Sequence, residues 1–229
     1  LDPVDAFNYP DRNKGLPDAM QGEITLSDLE QLYTGEIDNW QQLSTSDLTV
    51  KRYWTNDPTV QRIVARRIFD SPQESETTEN PSFISSFINI EEPNALPPLT
   101  MLRWILQDFE NTTIGSIGIA PLSQVFGQCS VYPLALTETR RSVTPLVFSD
   151  GKATGPEEDL CDRKGSYQPN APALRSGAYP LAYPLAIIYP FDNSRSPIGK
   201  KLAELLLTQE SQTYLMSLGM VSAYPITTP

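Results

Sequence analysis

Histidine is absent from the 229 residues, which removes His-activated nucleophiles and His-dependent metal sites together. The side chains left for chemistry are two cysteines, carboxylates, hydroxyls and scattered arginines. Cys129 and Cys161 have neither CxxC spacing nor a His partner. Three readings stay open for them: a disulfide, two unrelated buried thiols, or a reactive thiol. A bridge would close a loop of roughly 30 residues, contribute about 3–4 kcal/mol on the chain-entropy model, and need an oxidising compartment, consistent with export. Carboxylate pairs such as Glu157/Glu158 lie in a Gly- and Pro-rich stretch, a setting for solvation rather than acid–base work. The acidic run Asp150–Asp162 lacks the alternating register of a calcium loop. Arg62, Arg66 and Arg67 belong on the solvated face of a helix. Neither catalysis nor a metal or cofactor is expected.

A formal charge of −11 excludes general binding to nucleic acid or acidic membranes, which needs clustered cations. It leaves room for a small anion, because local N–H dipoles and hydroxyls hold a buried anion while distant charge is screened over about 8 Å. No apolar run approaches the roughly 20 residues that cross a bilayer, and the first residues lack a signal-peptide pattern, as in a mature or trimmed chain.

The positioning elements alternate between strand and helix. In residues 24–40, Thr25 or Ser27 caps a short helix striped by Leu26, Leu29, Leu32 and Tyr33, Gly35 stops it, and a tight turn closes at Trp40. Leu48–Tyr53 reads as a strand, and Asp57-Pro58 as a helix start followed by Val60, Ile63, Val64, Ala65 and Ile68. Ser71–Asn80 reads as an exposed loop and Phe83–Ile90 as a short helix or strand. A second amphipathic helix runs from Thr100 to near Asn111, and Ile114–Ala120 is a buried strand with close backbone approaches. Cys129–Leu136 is a further strand, and residues 149–172 are an irregular excursion that a disulfide would anchor. Tyr183–Tyr189 is a continuous apolar strand. Pro197–Leu218 is helical with a break near Thr208, with Ile198, Leu202, Leu205, Leu206, Tyr214, Leu215 and Leu218 facing inward and Gly219 as its stop. Such alternation implies an α/β fold.

As a string, Ile24–Trp40 resembles a signature of the periplasmic phosphate-binding-protein superfamily, in which leu-thr, gln-leu, tyr-thr-gly, ile and asn-trp recur in that order. Gly115–Ala120 is similar to that family's gly-ala-ile-gly-tyr strand. Ser176–Leu181 with Leu185–Tyr189 is similar to its hinge strand, and Leu205–Gln212 with Gly219-Met220-Val221 to its final helix and the residues after it. Gln128–Val131 and Leu160-Cys161, ahead of Arg175–Leu181, look like a cyanobacterial branch in which the two cysteines precede the same segment. The resemblance implies a type II periplasmic-binding-protein-like two-lobe fold with mixed sheets flanked by helices and an incomplete first lobe. Residues 17–172 would form the second lobe, and 1–16 with 173–229 the hinge strands and the remainder of the first. The family's gly-ser-ser-thr loop has no counterpart, and Asp2–Asn8 already resembles the hinge strand after the first lobe.

The family's anion motif is an arginine, three residues, then ser-gly-thr at a helix start; the corresponding stretch is Arg52–Thr59, where ser-gly is replaced by Asn-Asp-Pro. Arg52, Thr55, Asn56 and Thr59 are the candidate ligand contacts, joined by Thr100 at the next helix start and Ser116 in the glycine-flanked strand. Against them, Pro58 lacks an N–H and Asp57 brings an anion to the helix end, which an oxyanion tolerates only if it keeps a proton to donate. Arg52 also reads as a surface arginine beside a capped helix, Thr100 as a plain cap, and Ser116 as a residue small enough for tight sheet packing. The expected function is non-catalytic binding of phosphate or a related oxyanion for ABC-type import, in a monomer located in the periplasm or outside the cell, either free or tethered to a membrane. The expected partners are a transporter permease or a fused membrane sensor. The alternative is an extracytoplasmic sensor or protein-interaction domain with a degraded anion site.

Overall fold

The computed structural model describes the backbone of residues 2–6 and residues 15–69, 95–111, 113–138, 141–190 and 198–222. The expected loop Ser71–Asn80 and element Phe83–Ile90 lie outside them. The elements are β1 (Asp2–Ala6), α1 (Leu16–Ala19), β2 (Glu23–Thr25), α2 (Leu26–Thr34), β3 (Thr49–Thr55), α3 (Pro58–Arg67), β4 (Ala95–Leu96), α4 (Pro98–Asp108), β5 (Ile114–Ala120) and α5 (Leu122–Val125). They continue as β6 (Val131–Pro133), β7 (Ala135–Glu138), β8 (Arg141–Val143), β9 (Leu146–Phe148), β10 (Tyr167–Pro169), α6 (Ala171–Ser176), α7 (Ile198–Leu206) and α8 (Gln209–Ser217).

Helix α2 starts because Thr25 is extended and its Oγ1 accepts from the Asp28 amide at 3.0 Å, while Asp28 Oδ2 accepts from the Thr25 amide at 3.3 Å. This reciprocal box satisfies two donors that a helix end leaves open. Leu29, Leu32 and Tyr33 are buried, and Gly35 ends the helix at φ 85°, a left-handed geometry that favours glycine. The chain then turns through Asn39, whose side chain accepts from the Gln41 amide, and buries Trp40. The Trp40 amide donates to the Leu48 carbonyl and the Val50 amide to the Asp38 carbonyl, feeding the turn directly into β3.

The main sheet has the order β4-β3-β5-β1-β6. Strands β3, β4 and β5 are parallel, and β1 is antiparallel to β5 and β6, so the sheet is mixed. Period-two alternation assigns the two faces. Val50 and Trp54 join Leu29, Leu32, Tyr33, Val60 and Val64 in one core, whereas Tyr53 joins Met101, Leu102 and Ile105 of α4 in another. Helices therefore cover both sides, as a parallel sheet requires.

Strand β5 makes this possible by carrying glycine where the layers close. At Gly115 a Cβ would sit 2.5 Å from the Trp40 ring, and at Gly118 it would sit 2.8 Å from Met101 Sδ. The Trp40 Nε1–H donates to the Gly115 carbonyl at 2.8 Å, inside the core. A smaller sheet, β2-β7-β8, and the pair β9-β10 extend the unit. Cys129 and Cys161 form a disulfide with Cα atoms 4.8 Å apart, tying the irregular 149–166 stretch to the segment before β6.

Four expectations need correction. Cys129–Leu136 is not one strand: the chain leaves the main sheet after Pro133 and enters the smaller one at Ala135, with buried Leu134 between. Thr100 is not a cap, because Pro98, with its preset φ, starts α4 two residues earlier. Tyr183–Tyr189 joins no ladder among the described residues, and Leu185 and Ile188 are exposed. The helical region 198–217 does break at Thr208, which caps α8, but no residue of α7 or α8 is buried.

Gly115→Ala is expected to lower unfolding stability by about 2 kcal/mol or more, because the Trp40 ring cannot yield without losing its buried hydrogen bond. Trp40→Phe, which keeps a ring and removes the donor, is expected to cost about 1–3 kcal/mol by stranding the Gly115 carbonyl. Urea midpoints at constant slope measure both.

Candidate functional site

In an open α/β sheet the C-terminal ends of parallel strands form the usual ligand edge. Here that edge is built by the ends of β3 and β4 and the starts of α3 and α4. The Asn56 amide donates to the Leu96 carbonyl at 3.0 Å, pinning the two crossover points together. Thr55, Asn56 and Thr59 lie at this edge; Thr55 is buried, while Asn56 and Thr59 are exposed. Thr100, in the first turn of α4 and four residues beyond Leu96, belongs to the same edge.

The two helix starts differ. At α3 the Asp57 carboxylate accepts from the amides of Thr59 (2.8 Å) and Val60 (3.3 Å), and Pro58 contributes no N–H. Thr55 Oγ1 accepts from the Asp57 amide, and Gln61 Nε2 donates to the Thr55 carbonyl. The chain thus supplies its own anion to the dipole end of α3. At α4, Pro97 is the cap residue, Pro98 follows, and no side chain caps the first turn.

Two expected contacts are drawn away from the edge. The Arg52 guanidinium donates from Nε to the Leu32 carbonyl and from Nη2 to the Ile37 carbonyl, closing the end of α2. Burial pushes its pKa down, opposed by the nearby Tyr33 and Asp38. Ser116 pairs in register with Lys51, well before the strand ends.

Ser116 instead completes a polar cluster beneath α4. Its hydroxyl donates to Asp108 Oδ2 at 2.7 Å, the Tyr53 hydroxyl donates to the same oxygen, and Lys51 Nζ lies 2.7 Å from Oδ1. Burial alone would raise the Asp108 pKa, but the donors Lys51, Tyr53 and Ser116 outweigh it and hold the carboxyl below its ordinary value. Tyr53 is pushed up to about 12, by burial first and then by its hydrogen bond to Asp108. Burial likewise works against the Lys51 ammonium, and its bonds to Asp108 and Tyr53 reverse the sign and raise it. Both carboxylate oxygens of Asp108 accept, and the cluster clamps the C-terminal turn of α4 to β3 and β5. Period-two spacing puts Lys51 and Tyr53 on one face, but nothing local pairs them with Asp108, so the sequence reading missed it.

The geometry can be compared with known proteins. A phosphate ABC transporter substrate-binding protein from Clostridium perfringens, solved with phosphate bound, superposes with a TM-score of 0.56 at 14% identity, covering 96% of this chain and 67% of that one. An ABC-type phosphate transport receptor from Vibrio cholerae gives a TM-score of 0.48 at 11% identity, covering 96% and 68%. At such identity the first likeness establishes the fold alone, which is α/β and phosphate-binding-protein-like. No protein-family model matches the chain, and no curated protein matches its sequence.

Asp108 ionises more readily folded than unfolded, where its value is about 3.9. Its contribution is therefore complete above that value and lost as pH falls through the lower, folded pKa. Asp108→Asn is expected to reduce stability by about 1–3 kcal/mol at neutral pH. The gap from the parent protein should narrow as pH falls from about 5 toward 2. Denaturant melts across that range read it; a gap independent of pH would refute the clamp.

Proposed function

We propose that the chain is a non-catalytic solute-binding module taking phosphate or a related oxyanion for ABC-type import. The observation that carries this reading is the fold likeness to the phosphate-bound Clostridium structure over 96% of the chain. The edge where α3 and α4 begin supports it with donor types suited to an oxyanion: Asn56 and Thr59 side chains, and an α4 first turn around Thr100 that no side chain caps. On this reading the Asp57 carboxylate accepts a hydrogen bond from the O–H that a partly protonated oxyanion keeps, so the site favours such species over sulfate. Residues 17–172 act as the second lobe, with 1–16 and 173–229 belonging to the hinge and the first, and the ligand stabilises closure by contacting both. The Cys129–Cys161 bridge fits an oxidising location outside the cytoplasm.

A second reading keeps the scaffold and removes the ligand: an extracytoplasmic sensor or protein-interaction domain. The Asp57 carboxylate seated on the amides of Thr59 and Val60, with Arg52 turned to the end of α2, favours it.

Titration calorimetry with phosphate separates them. The import reading expects a Kd below about 1 μM. It also expects at least a tenfold loss in Asn56→Asp, which adds a like charge at an exposed position without touching the core. Arg52→Ala is a poorer probe because it also strands two carbonyls. No heat at millimolar phosphate sinks the import reading and leaves the sensor.

A further inference from the structure

The small sheet β2-β7-β8 ends at β8, and that strand forms one wall of an open cleft of about 330 Å³. The other walls are the bridged pair Val147 and Ala153 and the start of α6 from Asn170 to Ala173. Val143, Val147, Ala153 and Ala173 supply its apolar lining, and Val147 and Ala173 are buried. No residue of the edge where α3 and α4 begin is among the described residues that line it, so the cleft is a separate feature of the fold.

One position on the outer edge of β8 is already engaged and the next is open. The Thr144 carbonyl accepts from Asn170 Nδ2 at 2.9 Å, so a side-chain amide from the cap of α6 stands where the N–H of a neighbouring strand would stand. Successive residues of an extended chain turn their N–H and C=O groups to opposite edges, which puts those of Ser142 on the same edge as the Thr144 carbonyl. Arg141 and Ser142 are exposed, and neither makes a hydrogen bond outside the β7 ladder or an ion pair among the described residues. Arg141 and Val143 share one face of β8, opposite Glu138 and Leu136 of β7, and Ser142 lies on the other, opposite Thr137.

We propose that this edge and cleft form a docking site for an extended peptide of a partner protein, which adds a short strand beside β8 and brings an acidic side chain to Arg141. The peptide backbone donates an N–H to the Ser142 carbonyl and accepts the Ser142 N–H in return. Register then sets its side chains. The residue opposite Arg141 and the one two positions along, opposite Val143, share a face, so the recognised pattern is acidic, any residue, small apolar, in either chain direction. Charge complementarity selects this occupant. Arg141 is the one charged side chain among the described residues that line the cleft, and its cross-strand neighbour Glu138 is not among them. In a chain of net charge −11 an acidic segment is thus attracted here and repelled over most other surface. The proposal stands on this cleft alone and holds under either reading of the α3–α4 edge.

Calorimetric titration of the 229-residue chain with two blocked pentapeptides, Ser-Glu-Thr-Val-Ser and Ser-Val-Thr-Glu-Ser, tests it. One of the two is expected to bind with a Kd of about 100 μM or tighter, and its analogue with Lys in place of Glu at least about tenfold more weakly. Arg141→Glu is expected to reverse that preference, so that the Lys analogue becomes the tighter ligand. Ser142→Pro removes the edge N–H and spares the ladder to β7, so it is expected to weaken binding at least about tenfold at an unchanged Tm. Failure of both peptides at millimolar concentration overturns the proposal, as does a charge preference that Arg141→Glu leaves in place. A Tm lowered by Ser142→Pro also overturns it, because that N–H then belongs to the ladder. Amide exchange of the free chain reads whether any of its own residues covers the edge. A Ser142 N–H that is protected without peptide overturns the proposal, and one that becomes protected only when peptide is added supports it.

Discussion

The indole of Trp40, pressed against a strand that has no Cβ at Gly115, is the contact on which the rest of the fold depends. It joins the turn after α2 to β5, seals the core on one face of the sheet, and uses its single donor on the Gly115 carbonyl. On the opposite face Gly118 does the same for α4, letting Met101 and Ile105 approach the backbone. A strand carrying glycine toward both layers permits helices on both sides at close range, at some cost in backbone entropy. The flanking Ile117 and Ile119 are fully buried and supply the missing packing.

Once the layers are closed, the crossover geometry brings the starts of α3 and α4 to one edge. A helix start attracts an anion, and the chain answers this at α3 with Asp57 and leaves α4 without a side-chain cap. That asymmetry is the most informative feature for function. A built-in carboxylate stabilises the start of α3 and disfavours any fully ionised anion there, which is the point on which the two proposed readings divide.

Much of the fold was legible because its signals are local. The Thr25/Asp28 box, the Gly35 stop, the Asp57-Pro58 start and the buried Ile114–Ala120 strand each follow from residues within one or two turns of one another. The candidate edge was partly legible: Thr55, Asn56, Thr59 and Thr100 share it. Arg52 and Ser116 carry donor groups suited to an anion, yet their partners are the Leu32 and Ile37 carbonyls and Asp108, which sequence spacing cannot reveal. The expected strand at 183–189 shows the converse. Apolar content marks a segment that wants burial, but a strand exists only where another backbone is there to pair with it.

What the sequence by itself determined is the capped helices α2 and α3 and the strands β3 and β5 with their apolar faces, because these depend on dihedral preference and on groups a few residues apart. It also excluded histidine chemistry outright. Only the tertiary structure decided which polar side chains lie at the edge where the parallel strands end and which are spent on the fold. A guanidinium or hydroxyl is committed by whatever acceptor lies within about 3 Å, and chain crossing sets that distance. The Arg52 and Ser116 side chains thereby hold helices, while Asn56, Thr59 and Thr100 stay together at the edge where α3 and α4 begin.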